Sequence, residues 1–297
     1  MRRRLGADLG LRARMVLTML LLALLYAAFV WVLLWLRVDL LLVLGLVAVL
    51  IVVQYVLSDQ LVMASIGARE VSEAEAPRLH DIVTRLAQTT GVPKPRVAIV
   101  DSPVPNALAT GRNPRHSVVT VTTGLLERLT PEEVEAVLAH ELSHVIHRDV
   151  KVMTMATVFS TLASFLVQFG LWGGLGGRGR GRDQGGSPLV VLLVAAAVWL
   201  ISFVLIRTLS RYREYEADRG SALITGRPSL LASALLKIAD RTSHIPDRDL
   251  RQVEGASALM IFPSGVKGSL AELLSTHPSL EHRIERLQRM EAEMGRG

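Results

Sequence analysis

The 297-residue sequence contains no cysteine. A disulfide framework, a thiol nucleophile and a thiolate metal site are all excluded, so catalytic or metal chemistry must use histidine, carboxylates or hydroxyls. Aromatic residues are scarce at 5%, and no basic patch interleaves with them as a nucleic-acid groove requires. The pI near 10.1 is therefore not read as nucleic-acid binding. Arginines that flank apolar stretches have a simpler reading as topology signals and lipid-headgroup contacts. Internal repeats are also absent.

Apolar residues are abundant: half of the chain is hydrophobic and the mean hydropathy is +0.38. They lie in blocks. No charge occurs from Met15 to Leu36 or from Leu40 to Leu57, and each run can cross a bilayer core, which needs about 20 residues. A third stretch runs from Val152 to about Gly177, softened by Thr154, Thr157, Ser160, Thr161, Ser164 and Gln168, and a fourth from Pro188 to Ile206. Four membrane segments are expected. Arg2, Arg3, Arg4, Arg12 and Arg14 precede the first, whereas only Arg37 and Asp39 lie between the first two. The positive-inside rule then places the N-terminus, and the chain from Ser58 onward, in the cytoplasm. A cleaved signal peptide fits poorly, because the first run exceeds an h-region and a second span follows at once. The loop Gly173–Ser187 carries Arg178, Arg180 and Arg182 among glycines and by charge also favours the cytoplasm. The last two segments are therefore either full crossings or a shallow re-entrant hairpin.

Four regions follow: a transmembrane hairpin at 1–57, a polar part at 58–151, a second membrane hairpin at 152–206 and a polar remainder at 207–297. The first polar part reads as α+β. Leu79, Ile82, Val83 and Leu86 repeat at helical spacing before Gly91, while Arg96–Asp101 and Ser117–Thr123 are β-branched runs expected to be strands. Thr130-Pro131-Glu132-Glu133 is a capping box with proline at the first helical position. In the remainder, Gly226 and Pro228 separate two helices and another begins near Pro278.

The capped helix carries His140-Glu141-Leu142-Ser143-His144. Two imidazoles four residues apart share one helix face and suit a zinc ion. Glu141, offset by one, is placed to take a proton from an attacking water rather than to ligate. His147 shares the face but lies about 10 Å along the axis from His140, which makes it a surface or supporting histidine. Continuation to HExxHxxGxxH fails, since position 147 is His and position 150 is Val, so a third ligand comes from elsewhere. In Ser210–Asp218, Glu214 and Asp218 stand one turn apart. Glu214 as a ligand with Asp218 orienting an imidazole is one reading, and a solvated ion-pair face is the other. Because His140 and Glu214 flank the second hairpin, that hairpin returns them to one side.

The ordered set resembles the HtpX-type integral-membrane zinc metalloproteases, related to the CAAX prenyl proteases. It comprises two N-terminal spans, Asn106-Ala107-Leu108-Ala109-Thr110-Gly111, the 140–144 pentad followed by Arg148-Asp149, two further apolar segments, Ser210-Arg211 through Asp218, and His277-Pro278 followed by Arg283. The resemblance implies an α+β, mainly helical chain with four membrane segments and a zincin-like cytoplasmic protease domain interrupted by the second hairpin. It also implies one Zn²⁺ per chain on His140, His144 and Glu214, Glu141 as catalytic base and Asp218 supporting the site. Asn106 would lie on a substrate-side strand, although Pro105-Asn106 equally suits a turn. His277 and Arg283 would stabilise an oxyanion, or His277 caps the helix begun by Pro278, the simpler expectation. The implied activity is endopeptidase cleavage of misfolded or damaged membrane and cytosolic proteins at the cell (inner) membrane, under stress. The alternatives are a processing protease for a lipidated C-terminus and an idle membrane scaffold.

Overall fold

The computed structural model describes residues 8–35, 40–56, 63–111, 113–174, 188–242 and 277–296. Two apolar cores organise them. The first belongs to long helices: α1 (Leu9–Trp35), α2 (Leu40–Val56), α6 (Asp149–Gly174) and α7 (Pro188–Thr225). Leu22, Tyr26, Phe29 and Leu33 of α1 pack with Val47 of α2, Ala156, Leu162 and Ala163 of α6, and Ala195 and Val198 of α7. The outer faces stay apolar, with Leu24, Trp31, Leu193 and Leu200 all exposed, a band that a water-facing surface does not carry.

Among the described residues, three helices are long and apolar enough to cross a bilayer: α1, the first part of α6, and α7. The expected second span, α2, has 17 described residues, about 26 Å of helix, and is not one of these three. Arg37, Asp39 and the arginines of the loop before Pro188 lie outside the described residues. Inside this bundle the Tyr26 hydroxyl donates to the Ala156 carbonyl at 2.5 Å, a link from α1 to α6. Tyr26→Phe is expected to lower stability by about 0.6–1.7 kcal/mol, read as thermal unfolding in detergent.

The second core is water-facing. It is built from α3 (Pro77–Thr90), β2 (Arg96–Val100), β4 (Val118–Thr122), α4 (Thr123–Arg128), α5 (Pro131–Ile146), α8 (Pro228–Thr242) and α9 (Leu280–Arg296). Leu79, Ile82, Val83 and Leu86 do form the buried face of α3, and Gly91 ends it at φ 74°, the left-handed cap that glycine takes without strain. The two expected strands pair in parallel, Arg96 opposite Val118. Two short strands complete the sheet: β1 (Arg69–Glu70) and β3 (Ala107–Thr110), both antiparallel, in the order β1-β2-β4-β3. β3 is thus an edge, and it lies against α5.

At the start of α5, Thr130 accepts from the Glu133 amide and the Glu133 carboxylate accepts from the Thr130 amide, the reciprocal cap expected from sequence. α7 does not stop where its apolar run ends. It continues as one helix of 38 residues, because good helix formers and no proline follow Arg207. The polar part from 207 therefore begins in mid-helix, and α7 carries Glu214 and Asp218 rigidly out of the membrane bundle. There it crosses α5: the Ser221 hydroxyl donates to the Ala136 carbonyl at 2.7 Å, and a Cβ at Gly220 would come within 2.2 Å of Ser143 Oγ and 2.7 Å of Ser143 Cβ. Gly220→Ala is therefore expected to cost about 1–3 kcal/mol in thermal unfolding. Ser143→Ala does not rescue it, since the Ser143 Cβ itself clashes.

Candidate active site

α5 and α7 cross so that three side chains converge. His144 Nε2 lies 3.3 Å from His140 Nε2, and the two nitrogens lie 3.5 Å from Glu214 Oε1 and Oε2 respectively. A tetrahedral zinc with bonds of about 2.0–2.1 Å sets its ligand atoms about 3.3–3.4 Å apart. The two imidazole nitrogens meet that spacing, each faces one Glu214 oxygen, and the donor types suit such an ion. No other group of three or more His, Asp or Glu among the described residues has this geometry.

The surroundings fix each member. His140 Nδ1 lies 3.0 Å from Asp218 Oδ1, and Asp218 accepts from Arg283 Nε at 2.9 Å and Nη2 at 2.6 Å. The three side chains are almost fully buried. Burial alone would lower the His140 pKa, but Asp218 and Glu214 outweigh it and push it up to about 10; an entering cation displaces that proton. His144 Nδ1 lies 2.5 Å from Asp149 Oδ2, which also lies 2.7 Å from Arg213 Nη2. Glu141 is buried, and its Oε2 accepts the Ala109 amide of edge strand β3 at 2.9 Å. Burial raises its pKa above the ordinary carboxylate range, against the pull of His140 and His144. A raised pKa suits a carboxylate that takes up and hands on a proton.

The sequence-derived candidates gather here, with two revisions. His277 does not cap the last helix: its Nδ1 lies 3.1 Å from Glu214 Oε2, and α9 starts at Leu280, where the Ser279 hydroxyl accepts the His282 amide. The serine sits where a hydroxyl reaches a free helix amide, which the imidazole does not. Arg283 is 1% exposed and spends its fork on Asp218, with Nη1 at 3.6 Å from Glu214, so its part is to hold these carboxylates rather than to meet an oxyanion. Asn106 is buried just before β3; its carbonyl accepts the Thr122 amide and its own amide donates to the Thr122 hydroxyl, and the chain bends at 103–104 ahead of it. His147 is exposed as the C-cap of α5. Sequence reasoning passed over Asp149, which stands five residues after His144, off any helical face.

Similarity to known proteins agrees with this geometry. Residues 73–291 match the model of peptidase family M48, so the chain belongs to that family, and it is a membrane-bound metalloprotease. Among its relatives, a Protease HtpX homolog of Moorella thermoacetica is 56% identical over 295 residues, 99% of each chain. A Protease HtpX homolog 2 of Methanosarcina acetivorans is 51% identical over 99% of this chain and 100% of its own. In fold, the crystal structure of S. mikatae Ste24p matches with a TM-score of 0.54 and 18% identity, over 94% of this chain and 67% of that one.

Proposed function

We propose that the protein is a zinc endopeptidase of the cell membrane that cleaves misfolded or damaged membrane and cytosolic proteins from the cytoplasmic side. The observation that carries the zinc assignment is the convergence of His140 Nε2 and His144 Nε2, 3.3 Å apart, on the Glu214 carboxylate, each nitrogen 3.5 Å from a different one of its oxygens. His140, His144 and Glu214 would hold one Zn²⁺ per chain. An ion held there would supply Lewis acidity toward a carbonyl oxygen and would lower the pKa of a water to about 7. Glu141 accepts the proton of the attacking water and then delivers it to the leaving amine. Its contact with Ala109 puts this base beside the β3 edge, where an extended peptide adds as a further strand. Backbone bonding of that kind gives affinity with little demand on sequence, as cleavage of unfolded chains requires.

The orientation rests on a second contact. Asp8 caps the start of α1 through the Leu11 amide and pairs with Arg286 at 3.0 Å, so the start of α1 lies beside the helix that bears Arg283. The start of α1, which carries Arg12 and Arg14, thus shares a side with the site, and arginine at that end of a span favours the cytoplasm. The second hairpin, 152–206, would then separate the two halves of the protease part, 58–151 and 207–297, with the first hairpin, 1–57, as the remaining membrane anchor. α2 would complete four membrane segments.

The test uses full-length protein in detergent, incubated with an unfolded soluble protein, a misassembled multi-span membrane protein and folded counterparts of both. The expected outcome is cutting at several internal positions of the unfolded proteins only, stopped by a chelator and restored by Zn²⁺. A single cut confined to a lipidated C-terminus would replace this reading with a dedicated processing role. No cutting of any substrate, with biological function unaffected by Glu141→Gln, would leave a scaffold.

A further inference from the structure

The two histidines on α5 are held in the same manner by different parts of the chain. Behind His140 stands Asp218, tied to Arg283 of α9. Behind His144 stands Asp149, the first residue of membrane helix α6, tied to Arg213 of α7. Asp149 is 5% exposed, and one of its oxygens meets both the imidazole and the guanidinium. A feature of the backbone puts it there. Arg148 is the one non-glycine residue with positive φ among those described, at 55°, a conformation that costs an L-residue roughly 1–2 kcal/mol. This left-handed residue separates the end of α5 from the start of α6 and turns the chain, so that Asp149 faces back to His144 while its own helix departs into the membrane bundle.

We infer that Asp149 and Arg213 are a positioning pair for His144, which fixes the Nδ1–H tautomer and the ring plane so that Nε2 points toward His140 and Glu214. The inference rests on the metal-site reading above. Neither residue touches substrate; Arg213 acts through Asp149, and Asp149 through His144. Carboxylates that hold a ligating imidazole through its other nitrogen raise metal affinity by about 10- to 100-fold. Because Asp149 belongs to α6 and Arg213 to α7, metal retention then requires these two helices to be docked beside the site. The strained Arg148 is where that requirement is built into the backbone.

The test is zinc affinity of the full-length protein in detergent, measured by competition of Zn²⁺ alone against a chromophoric chelator, with the thermal midpoint of the metal-free protein recorded beside it. Asp149→Asn is expected to weaken zinc binding about 10- to 100-fold. Arg213→Gln is expected to weaken it by a smaller factor, and the double variant to be no weaker than Asp149→Asn, since the two act in series. Arg128→Gln, which removes an exposed pair with Asp240, leaves zinc affinity unchanged. A merely structural role would lower the thermal midpoint of Asp149→Asn while zinc affinity stayed within twofold of wild type, and that result overturns the inference. If Asp149→Asn does not fold, Arg213→Gln decides: affinity within twofold of wild type overturns the inference, and a loss beyond that supports it. His144→Ala separates the two levels. It must lose zinc for the site reading to stand; if it keeps zinc, that reading fails first.

Discussion

Replacing Glu141 by Gln leaves a folded, zinc-loaded protein whose peptide hydrolysis falls by about 10²- to 10⁴-fold, the usual contribution of a positioned general base, or roughly 3–5 kcal/mol of barrier. The expectation follows from where the carboxylate sits. Glu141 shares α5 with the two histidines but points beside them, and it faces the edge strand through the Ala109 amide at 2.9 Å. The amide of Gln has nearly the same shape, so packing survives, but it cannot accept the proton of the attacking water. Its NH₂ also meets the Ala109 amide donor to donor unless it turns its oxygen inward. Zinc content measured beside activity separates the two roles. Lost activity with zinc retained identifies the base, whereas lost zinc would make Glu141 a ligand and the assignment wrong.

Arg283→Ala is expected to destabilise the protein by about 3–5 kcal/mol, because it leaves a buried carboxylate without its cation. Arg283 is 1% exposed, Asp218 0%, and their two-pronged contact at 2.6 and 2.9 Å is the bond by which α9 holds α7 beneath the site. Exposed pairs such as Arg128–Asp240 give no comparable effect on removal. Arg283→Lys keeps the charge but loses the fork, so it recovers only part of the loss. The check is the thermal midpoint in detergent with and without zinc. An Arg283→Ala protein as stable as wild type would mean that Asp218 is satisfied by His140 alone.

How much of this was legible depended on distance along the chain. The Thr130 cap, the Gly91 and Gly226 stops and the two imidazoles of α5 obey rules that act within one or two turns, and the structure realises them. The role proposed for Glu214 needs two elements to meet; its spacing from Asp218 left a solvated ion-pair face open, and only the hairpin argument and the family resemblance pointed to the metal. β1 was not readable as a strand, and β3 was expected only from the resemblance at Asn106–Gly111, since two to four residues carry little pattern and owe their pairing to β2 and β4. For His277 the neighbouring proline favoured a cap over a place at the site, because the residue it meets, Glu214, lies 63 positions earlier in the chain. Asp149 stood in plain sight next to the motif. Its spacing from His144 matches no helical face, and only the left-handed turn at Arg148 aims it back.

Zinc K-edge X-ray absorption on the loaded, full-length protein tests the central assignment most directly. The account predicts one zinc per chain with two imidazole nitrogens, a carboxylate oxygen and one further light atom at about 2.0–2.1 Å. Glu214→Ala should remove the metal or replace the carboxylate by solvent. A spectrum with a single imidazole, or one that Glu214→Ala leaves unchanged in stoichiometry and ligand shell, would contradict a site built from His140, His144 and Glu214.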